Sequence, residues 1–308
     1  MRLMVTGGAG FIGSHIADIA LAKGWDVGVI DDLSTGHREN LPKAAQFFQF
    51  DIREPEAIAA AFDAFQPTVV SHQAAQASVA ISVTNPAFDT EVNVIGSLNV
   101  IAACVRHKVK RVVFASTGGA IYGDVPEGTL ASEQTPPSPM SPYAVSKLAV
   151  EHHLAAASFE NGLDYRVLRY ANVYGPRQDP HGEAGVVAIF LNRLVAGESI
   201  QVNARREPGD DGCVRDYVFV ENVAKANIAA MTVDSLPTVM NVASGVPTST
   251  RELADALAHT LQLSPEITFG ARRGGDIERS VLDPDRFIEH VGPVIPLAEG
   301  LRQLCESS

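Results

Sequence analysis

A phenol and an ammonium group stand four residues apart where Tyr143 and Lys147 follow the proline-rich stretch 136–142. Residues four apart lie on one face of a helix, so the two side chains would be neighbours. A tyrosine hydroxyl has a pKa of about 10 and is a poor base until a positive charge stabilises its phenolate. The pair could therefore accept a proton from a substrate hydroxyl. The same spacing is also common for an exposed tyrosine beside a solvated lysine.

A glycine-rich turn near the amino terminus has the composition of a phosphate-binding loop. It contains Gly7, Gly8, Gly10 and Gly13, and it can be read as G-x-x-G-x-x-G or as G-x-G-x-x-G. Such glycines permit a tight turn and bring the backbone close to a pyrophosphate, which the amides of the following helix attract. Alone, the pattern also occurs in plain connections from strand to helix.

Two carboxylates follow this turn at a spacing that favours a dinucleotide. Asp31 and Asp32 close the second predicted strand, 18 residues after Gly13. This is near the spacing of about 20 expected for the acid that binds the adenosine ribose. The carboxylates would repel a 2′-phosphate, which favours NAD over NADP. His37 and Arg38, further along, weaken that preference.

Alternating strands and helices must position these groups. Strands are predicted at 3–5, 27–30, 45–50, 68–71 and 111–116, and helices at 14–22, 55–64 and 90–107. This βαβαβ order predicts an α/β fold with a Rossmann-type doubly wound parallel sheet.

A long helix over 143–160 and a strand over 165–169 follow, and the alternation weakens after residue 175. We therefore expect a dinucleotide-binding domain over 1–175. A smaller C-terminal α/β lobe, which would bind the substrate, is expected mainly from 176–308, with some later elements returning to the first domain.

The composition is that of a folded protein with about two domains' worth of chain. The 308 residues are 46% hydrophobic and 19% charged, and the formal charge is −12, which gives no basis for gripping nucleic acid. Cys104, Cys213 and Cys305 are widely spaced and form neither a disulfide framework nor a short-spaced zinc site, so a cytoplasmic location is expected. Neither a signal peptide nor a membrane span is expected, and the nine histidines fit no metal site.

Taken together, these motifs resemble the extended short-chain dehydrogenase/reductase family, in which Tyr-x-x-x-Lys is the catalytic motif. More specifically, the chain resembles the NAD-dependent nucleotide-sugar epimerases of the UDP-glucose 4-epimerase type. The segments that carry the resemblance are 6–14, 31–36, 51–52, 72–77, 93–96, 116–123, 143–147, 169–178 and 214–218.

The resemblance implies catalytic roles for three residues. Tyr143 would be the base, Lys147 would stabilise its phenolate and bind the nicotinamide ribose, and Thr117 would hydrogen-bond the reacting sugar oxygen. Ser116 is the alternative ranked below Thr117, and it stays open because this chain has one more glycine than many relatives after these hydroxyls. Residues 118–120 include no acid such as dehydratases use to eliminate water, which favours an epimerase.

The cofactor contacts implied by the resemblance are spread over the first domain. Besides Tyr143 and Lys147, they are Gly7, Gly10, Phe11, Ile12, Asp31, Asp32, Leu33, Ser34, Thr35, Gly36, Asp51, Ile52, Gln73, Ala74, Ala75, Gln76, Asn93, Ser116, Tyr170 and Ala171.

The implied contacts to a UDP-sugar come from Thr117 and Tyr143 and from the later part of the chain. The latter are Asn172, Val186, Arg215, Arg273, Asp276 and Ser280. Arginine suits a diphosphate because its planar fork binds oxygens in pairs. Residues 203–207 depart from the family's usual loop over the base. Ser280 stands where epimerases restricted to unsubstituted hexoses carry a tyrosine, so N-acetylated sugars are expected to be accepted unless Arg279 or 203–206 fill that space.

The alternatives are another sugar-nucleotide epimerase or oxidoreductase, acting on a uronic acid or a non-uridine nucleotide, and a non-catalytic NAD-binding regulator. Relatives often pair through two helices, and the apolar positions of 90–107 and 148–157 are compatible with a homodimer.

Overall fold

The computed structural model describes residues 1–179 and 185–307. Its strands, in chain order, are β1 (Arg2–Thr6), β2 (Asp26–Asp31), β3 (Gln46–Gln49), β4 (Val69–His72), β5 (Arg111–Thr117), β6 (Asp164–Tyr170), β7 (Asn172–Tyr174), β8 (Ile200–Asn203), β9 (Val214–Phe219), β10 (Val239–Val242), β11 (Pro247–Ser249), β12 (Ile267–Gly270) and β13 (Arg279–Ser280).

The helices are α1 (Phe11–Ala22), α2 (Pro55–Phe65), α3 (Val79–Thr84), α4 (Pro86–Thr90), α5 (Ser97–Arg106), α6 (Gly118–Ile121), α7 (Pro142–Asn161), α8 (Val186–Val195), α9 (Val220–Thr232), α10 (Thr250–Thr260), α11 (Asp285–His290) and α12 (Leu297–Glu306). A 3-10 turn occupies Arg38–Asn40, and a π-helical segment, Glu91–Gly96, joins α4 to α5.

A seven-stranded sheet confirms the doubly wound fold expected from the sequence. Its strand order is β10-β6-β5-β4-β1-β2-β3, and β3, β2, β1, β4 and β5 pair in parallel. The order reverses between β1 and β4, which is where open α/β sheets bind ligands at the carboxyl ends of their strands. The strands and helices predicted over the first 170 residues all occur, with boundaries that differ by a few residues.

The chain divides into two compact units that are interleaved in sequence. Unit 1 comprises Met1–Thr117, Ser141–Arg169 and Val223–Met240, and unit 2 comprises Gly118–Met140, Tyr170–Asn222 and Asn241–Ser308. In this division Gly118–Met140 belongs to unit 2 and Val223–Met240 belongs to unit 1. The chain returns to unit 1 because β10 continues the large sheet beside β6, and it enters unit 2 early because Val125 N donates to Arg279 O at 2.9 Å.

Unit 2 contains two small sheets. In the first, β9 pairs with β11, β13 and β7, and in the second β8 pairs with β12 in parallel. The α/β character expected for the second lobe is therefore present.

The core of unit 1 lies between the large sheet and helices α2, α5 and α7, where Phe62, Phe114, Val100 and Leu154 are buried. The continuous helix Pro86–Arg106 is the one helix of the described chain that is long and apolar enough to cross a membrane. In its most apolar window 44% is buried inside the protein. Burial of this kind also occurs in core helices that never meet a membrane.

Candidate active site

The glycine turn between β1 and α1 has the geometry of a dinucleotide cradle. Gly7 has φ +68°, and a Cβ there would lie 2.7 Å from Ala74 N. A Cβ on Gly13 would collide with Gly7 O. Helix α1 starts at Phe11, and its N-cap Gly10 supplies no side-chain cap, so the first amides of the helix have no local side-chain acceptor. These amides and the open cradle fit a pyrophosphate.

Asp31 lies against this turn at the end of β2. Its carboxylate accepts hydrogen bonds from Ala9 N at 2.9 Å and Leu33 N at 2.8 Å, and burial raises its pKa. Leu33 adopts φ +62° to reach it. Asp32 is exposed, and one of its oxygens accepts from Ser34 N and Ser34 Oγ. Asp31 thus ties the loop after β2 to the glycine turn.

Arg38, the residue that could have favoured a 2′-phosphate, is held elsewhere. Its Nη2 donates to Gln49 Oε1 at 2.8 Å, and its guanidinium lies 5.1 Å from the centre of the Phe47 ring.

Asp51 and Ile52 follow β3 as the sequence predicts. Arg53 Nε and Nη2 donate to Asp51 Oδ2 at 3.0 and 2.6 Å, and this pairing lowers the pKa of Asp51. Ile52 is buried, and a Cβ on Gly96 would lie 2.7 Å from it, which accounts for the glycine in the π-helical segment.

Tyr143 and Lys147 lie in the first turns of α7. Pro142 occupies the first turn, and Ser141 Oγ caps the helix by accepting from Ala144 N at 3.2 Å. Lys147 is buried, its Nζ donates to Ala115 O at 3.0 Å, and it lies 5.8 Å from the centre of the half-buried Tyr143 ring. The predicted pair is therefore brought together at the end of β5.

The end of β5 distinguishes the two candidate hydroxyls. Ser116 Oγ donates to Glu151 Oε1 at 2.5 Å, and Glu151 also accepts from Arg169 Nε at 3.0 Å and Nη2 at 2.6 Å. Within the described residues, the Thr117 hydroxyl makes no such bond. The Ser116 hydroxyl is therefore used in an internal hydrogen bond, and the Thr117 hydroxyl is not.

A second buried carboxylate lies on the other side of α7. Asp89 is fully buried, and its Oδ1 accepts from Gln76 Nε2 at 2.8 Å and Asn93 Nδ2 at 2.9 Å. Its Oδ2 accepts from Ser146 Oγ at 2.7 Å. Asn93 also bonds Gln76 N and O at 2.9 and 2.8 Å. Gln76 and Asn93, both expected to contact cofactor, thus use their side chains to connect the loop after β4 to α7.

His72 is part of a buried hydrogen-bond chain. Ser97 Oγ donates to Asn93 O, so it accepts from His72 Nε2 at 2.8 Å, and His72 Nδ1 then accepts from Thr6 Oγ1 at 2.6 Å. Ala74 N donates to Thr6 Oγ1 at 3.2 Å. Burial lowers the pKa of His72 to about 3, so the ring is neutral.

The other predicted cofactor contacts lie in both units. In unit 1, Gln73 Nε2 donates to Ser71 Oγ and Asn227 Oδ1, and Ala75 is half-buried; Thr35 is exposed. In unit 2, Tyr170 and Ala171 are buried, and Ala171 N donates to Val242 O at 3.0 Å.

Strand β9 of unit 2 brings together three of the predicted substrate residues. Asn172 on β7 is the register partner of Tyr217, and Ser280 on β13 is the partner of Arg215. Burial raises the pKa of the Cys213 thiol. The charge of Arg215 lowers this pKa and the charge of Asp276 raises it. Val186 is the first residue of α8.

Asp216 holds this strand arrangement in place. Its carboxylate accepts from Ser244 N, Ser244 Oγ, Gly245 N and Leu282 N. Burial raises its pKa despite these bonds.

Arg279 and the 203–210 segment are both anchored. Arg279 Nη1 donates to the carbonyl oxygens of Val125, Pro126 and Thr129. Asp210 accepts from backbone amides of Arg205, Arg206 and Glu207, which lowers its pKa. Arg273 Nε and Nη2 lie 2.9 and 3.0 Å from the Asn203 amide oxygen when that amide is oriented to accept them.

The model of the NAD dependent epimerase/dehydratase family matches residues 3–243. The chain belongs to this family. A UDP-glucose 4-epimerase of Mycolicibacterium smegmatis is 43% identical over 99% of this chain and 98% of its own length.

Among solved structures of this family, the UDP-glucose 4-epimerase of Thermus thermophilus in complex with NAD is 52% identical, with a TM-score of 0.95 over 100% of this chain and 98% of that chain. The UDP-glucose 4-epimerase of Thermotoga maritima with UDP-glucose is 43% identical, with a TM-score of 0.94 over the same shares.

Sequence reasoning missed several residues that support the site of this epimerase/dehydratase family member. Asp89 and Glu151 lie outside every segment that carries the resemblance, and Ser146 and Arg169 lie inside two of them without an expected role. The sequence could have indicated a role for Glu151, because this residue lies four positions after Lys147 and therefore on the same face of the helix. Among residues 1–179 and 185–307, no group of three or more His, Cys, Asp or Glu could hold a metal ion.

Proposed function

We propose that this protein epimerises UDP-hexoses at C4, interconverting UDP-glucose and UDP-galactose, with NAD as cofactor. The observation that carries this is the placement of Tyr143 and Lys147 on α7 against the end of β5, where Lys147 bonds Ala115 O and Thr117 follows. The glycine turn of the same unit has the cradle that a dinucleotide needs. The full-length similarity to UDP-glucose 4-epimerases supports the same reaction.

The side chains divide the chemistry among them. Tyr143, as phenolate, accepts the proton of the sugar 4-hydroxyl, and the ammonium of Lys147 stabilises that phenolate. Thr117 donates a hydrogen bond to the same oxygen. The glycine turn and Lys147 would hold NAD, whose nicotinamide would supply a reversible hydride acceptor for C4. Tyr143 then returns the proton to the oxygen of the inverted sugar, so the protein ends each turnover in its starting state.

NAD is favoured over NADP by charge. Asp31 and Asp32 close β2, and Arg38 is engaged by Gln49 and Phe47. The carboxylates of Asp31 and Asp32 would repel a 2′-phosphate placed there, which would weaken the binding of NADP. Tighter binding of NADP than of NAD to the protein freed of cofactor would contradict this.

The nucleotide side of the substrate is assigned to unit 2. Arg215 and Arg273 supply guanidinium groups for the diphosphate, and Asn172, Val186 and Asp276 supply further contacts. We assign Ser280, the register partner of Arg215, to the sugar side, and the shared strand register supports this. Arg279 and Ser280 are consecutive strand residues, whose side chains point to opposite faces of a sheet, and Arg279 Nη1 is bonded to three carbonyl oxygens. This supports turnover of N-acetylated UDP-hexoses.

A homodimer is proposed through α5 and α7. Leu98, Ala102, Val105 and Ala157 line an apolar surface groove between these helices. Family relatives pair through the same two helices, as the sequence resemblance implies. Ala102→Glu should convert a dimer to a monomer in light scattering, and an unchanged mass would contradict this interface. The cytoplasmic location stays a prediction.

The reaction is tested by incubating purified protein with UDP-galactose, without added NAD, and following the anomeric protons by NMR. Appearance of UDP-glucose supports the proposal, and its absence with and without added NAD would refute it. Because residues 203–207 depart from the family's usual loop over the base, a sugar nucleotide with another base is the second candidate, and a panel of nucleotide sugars distinguishes the two. Turnover that is lost in Tyr143→Phe excludes a non-catalytic regulator.

A further inference from the structure

Two consecutive turns of α7 hold the end of β5. Lys147 Nζ donates to Ala115 O at 3.0 Å, and one turn later Glu151 Oε1 accepts from Ser116 Oγ at 2.5 Å. Thr117 follows these two strand residues directly. Any change in how Glu151 is held therefore reaches both the strand end that carries Thr117 and the helix that carries Lys147.

Glu151 is paired with Arg169 of β6 in the interior. Arg169 Nε and Nη2 donate to its two oxygens at 3.0 and 2.6 Å, and the side chains are only 8% and 7% exposed for Glu151 and Arg169 respectively. A buried carboxylate stays ionised only when a cation or several donors compensate it. Here a guanidinium does so with two parallel bonds, the geometry in which arginine binds carboxylates best.

Lys147 is the cation on α7 that would otherwise meet this carboxylate. Residues four apart on a helix are neighbours, and opposite charges at that spacing attract. Lys147 is itself buried, where charges interact strongly. Without Arg169, an ionised Glu151 would therefore attract the Lys147 ammonium group.

The other titratable groups facing this part of α7 are few. They are His72 on β4, which is neutral, Asp89 on α4, whose oxygens are taken by Gln76, Asn93 and Ser146, and Tyr165 on β6, whose pKa rises through burial and through Glu151. None of these carries a positive charge that could replace Arg169.

We propose that Arg169 is a positioning residue of the reaction: it neutralises Glu151, so that the charge of Lys147 is left to the Tyr143 phenolate while Glu151 fixes the strand end through Ser116. This inference rests on the proposed function for the role of Tyr143. The Arg169–Glu151 pair would then contribute to catalysis as well as to the stability of the fold.

The test is the pH dependence of kcat for UDP-galactose in the NAD-loaded enzyme. Arg169→Met leaves Glu151 to pair with Lys147, so less positive charge acts on Tyr143 and the rise of kcat with pH should move to higher pH by about one unit. In Glu151→Gln, which keeps an acceptor for Ser116, uncompensated Arg169 adds positive charge, and the same rise should move to lower pH. The double variant should return close to the wild-type midpoint.

A purely structural ion pair gives a different result. Its loss would lower the melting temperature and the yield of active enzyme, and the pH midpoint would stay where it is in every variant. That outcome overturns the proposal. If Arg169→Met does not fold, Glu151→Gln decides by itself, since an unshifted midpoint there is equally contradictory.

Failure of the proposed function is recognised separately. If wild-type protein did not turn over UDP-galactose, the same shifts would be sought in the ultraviolet absorbance of tyrosinate, with Tyr143→Phe in each background as the reference. Shifts of opposite sign in the two single variants support the role of Arg169, and identical titrations refute it.

Discussion

Ser146 Oγ donates a 2.7 Å hydrogen bond to Asp89 Oδ2, and this bond fixes α7 between its two functional residues, Tyr143 and Lys147. Asp89 is fully buried, and its other oxygen, Oδ1, accepts hydrogen bonds from the side chains of Gln76 and Asn93. A contact between two residues 57 positions apart thus couples the loop after β4 to the helix that carries the base.

Asp89→Ala is expected to destabilise the protein and lower kcat. It leaves three buried donors without an acceptor, at about 1–3 kcal/mol each for unsatisfied groups, and a small displacement of Tyr143 lowers kcat by about tenfold or more. Asp89→Asn should keep most activity because Ser146 can accept from the new amide. Glu56→Ala on the exposed face of α2 is the control. Equal kcat in Asp89→Ala and Glu56→Ala, per folded molecule, would argue against this coupling.

Tyr143→Phe should reduce kcat by about 10²- to 10⁴-fold, the usual contribution of a positioned acid–base group. The fold and the binding of UDP-sugar should persist, because the aromatic ring remains and only its hydroxyl is removed. Tyr165→Phe serves as a matched control on the neighbouring β6. Steady-state kinetics on both variants checks this, and retention of activity in Tyr143→Phe would remove the tyrosine from the mechanism.

Ser280→Tyr should restrict the enzyme to unsubstituted sugars. Ser280 is buried on β13 opposite Arg215, and a tyrosine there narrows the space beside the sugar. We expect kcat/KM for UDP-N-acetylgalactosamine to fall by about tenfold or more relative to UDP-galactose, since a steric clash rejects the larger ligand. If the variant keeps the wild-type ratio of kcat/KM values, position 280 does not control acceptance.

Stability should depend on pH through His72. Its pKa is about 3 in the folded protein and near the ordinary value of 6.5 in the unfolded chain. Between these values the unfolded chain binds a proton and the folded one does not, so the free energy of unfolding falls as the pH falls. Urea denaturation of wild type and His72→Gln from pH 7 to pH 4 measures this. The slope should be shallower in the variant, and parallel slopes would contradict the neutral buried ring.

The sheet and the Tyr143–Lys147 pair were predictable because their signals are local. Strand and helix periodicity, the glycine turn and the helix cap at Ser141 each lie within a few residues. The choice of Thr117 over Ser116 was supported by a family comparison, and its physical reason appears only in the structure, where Ser116 bonds Glu151.

The supporting residues could not be predicted from local patterns. Asp89, Glu151 and Arg169 are charged types that normally face water, and their burial depends in part on partners as far as 18 positions away for Glu151 and Arg169 and 57 positions away for Asp89. The interleaving of the two units has the same origin, because β10 joins the sheet beside β6 after a long excursion of the chain.

The most direct measurement uses UDP-galactose deuterated at C4, incubated with the purified protein in ordinary water and analysed by NMR and mass spectrometry. If hydrogen leaves C4 with its electrons and returns to the same carbon while Tyr143 handles only the hydroxyl proton, the UDP-glucose formed keeps deuterium at C4. Product that carries solvent hydrogen at C4, or no product at all, would contradict C4 epimerisation by this site.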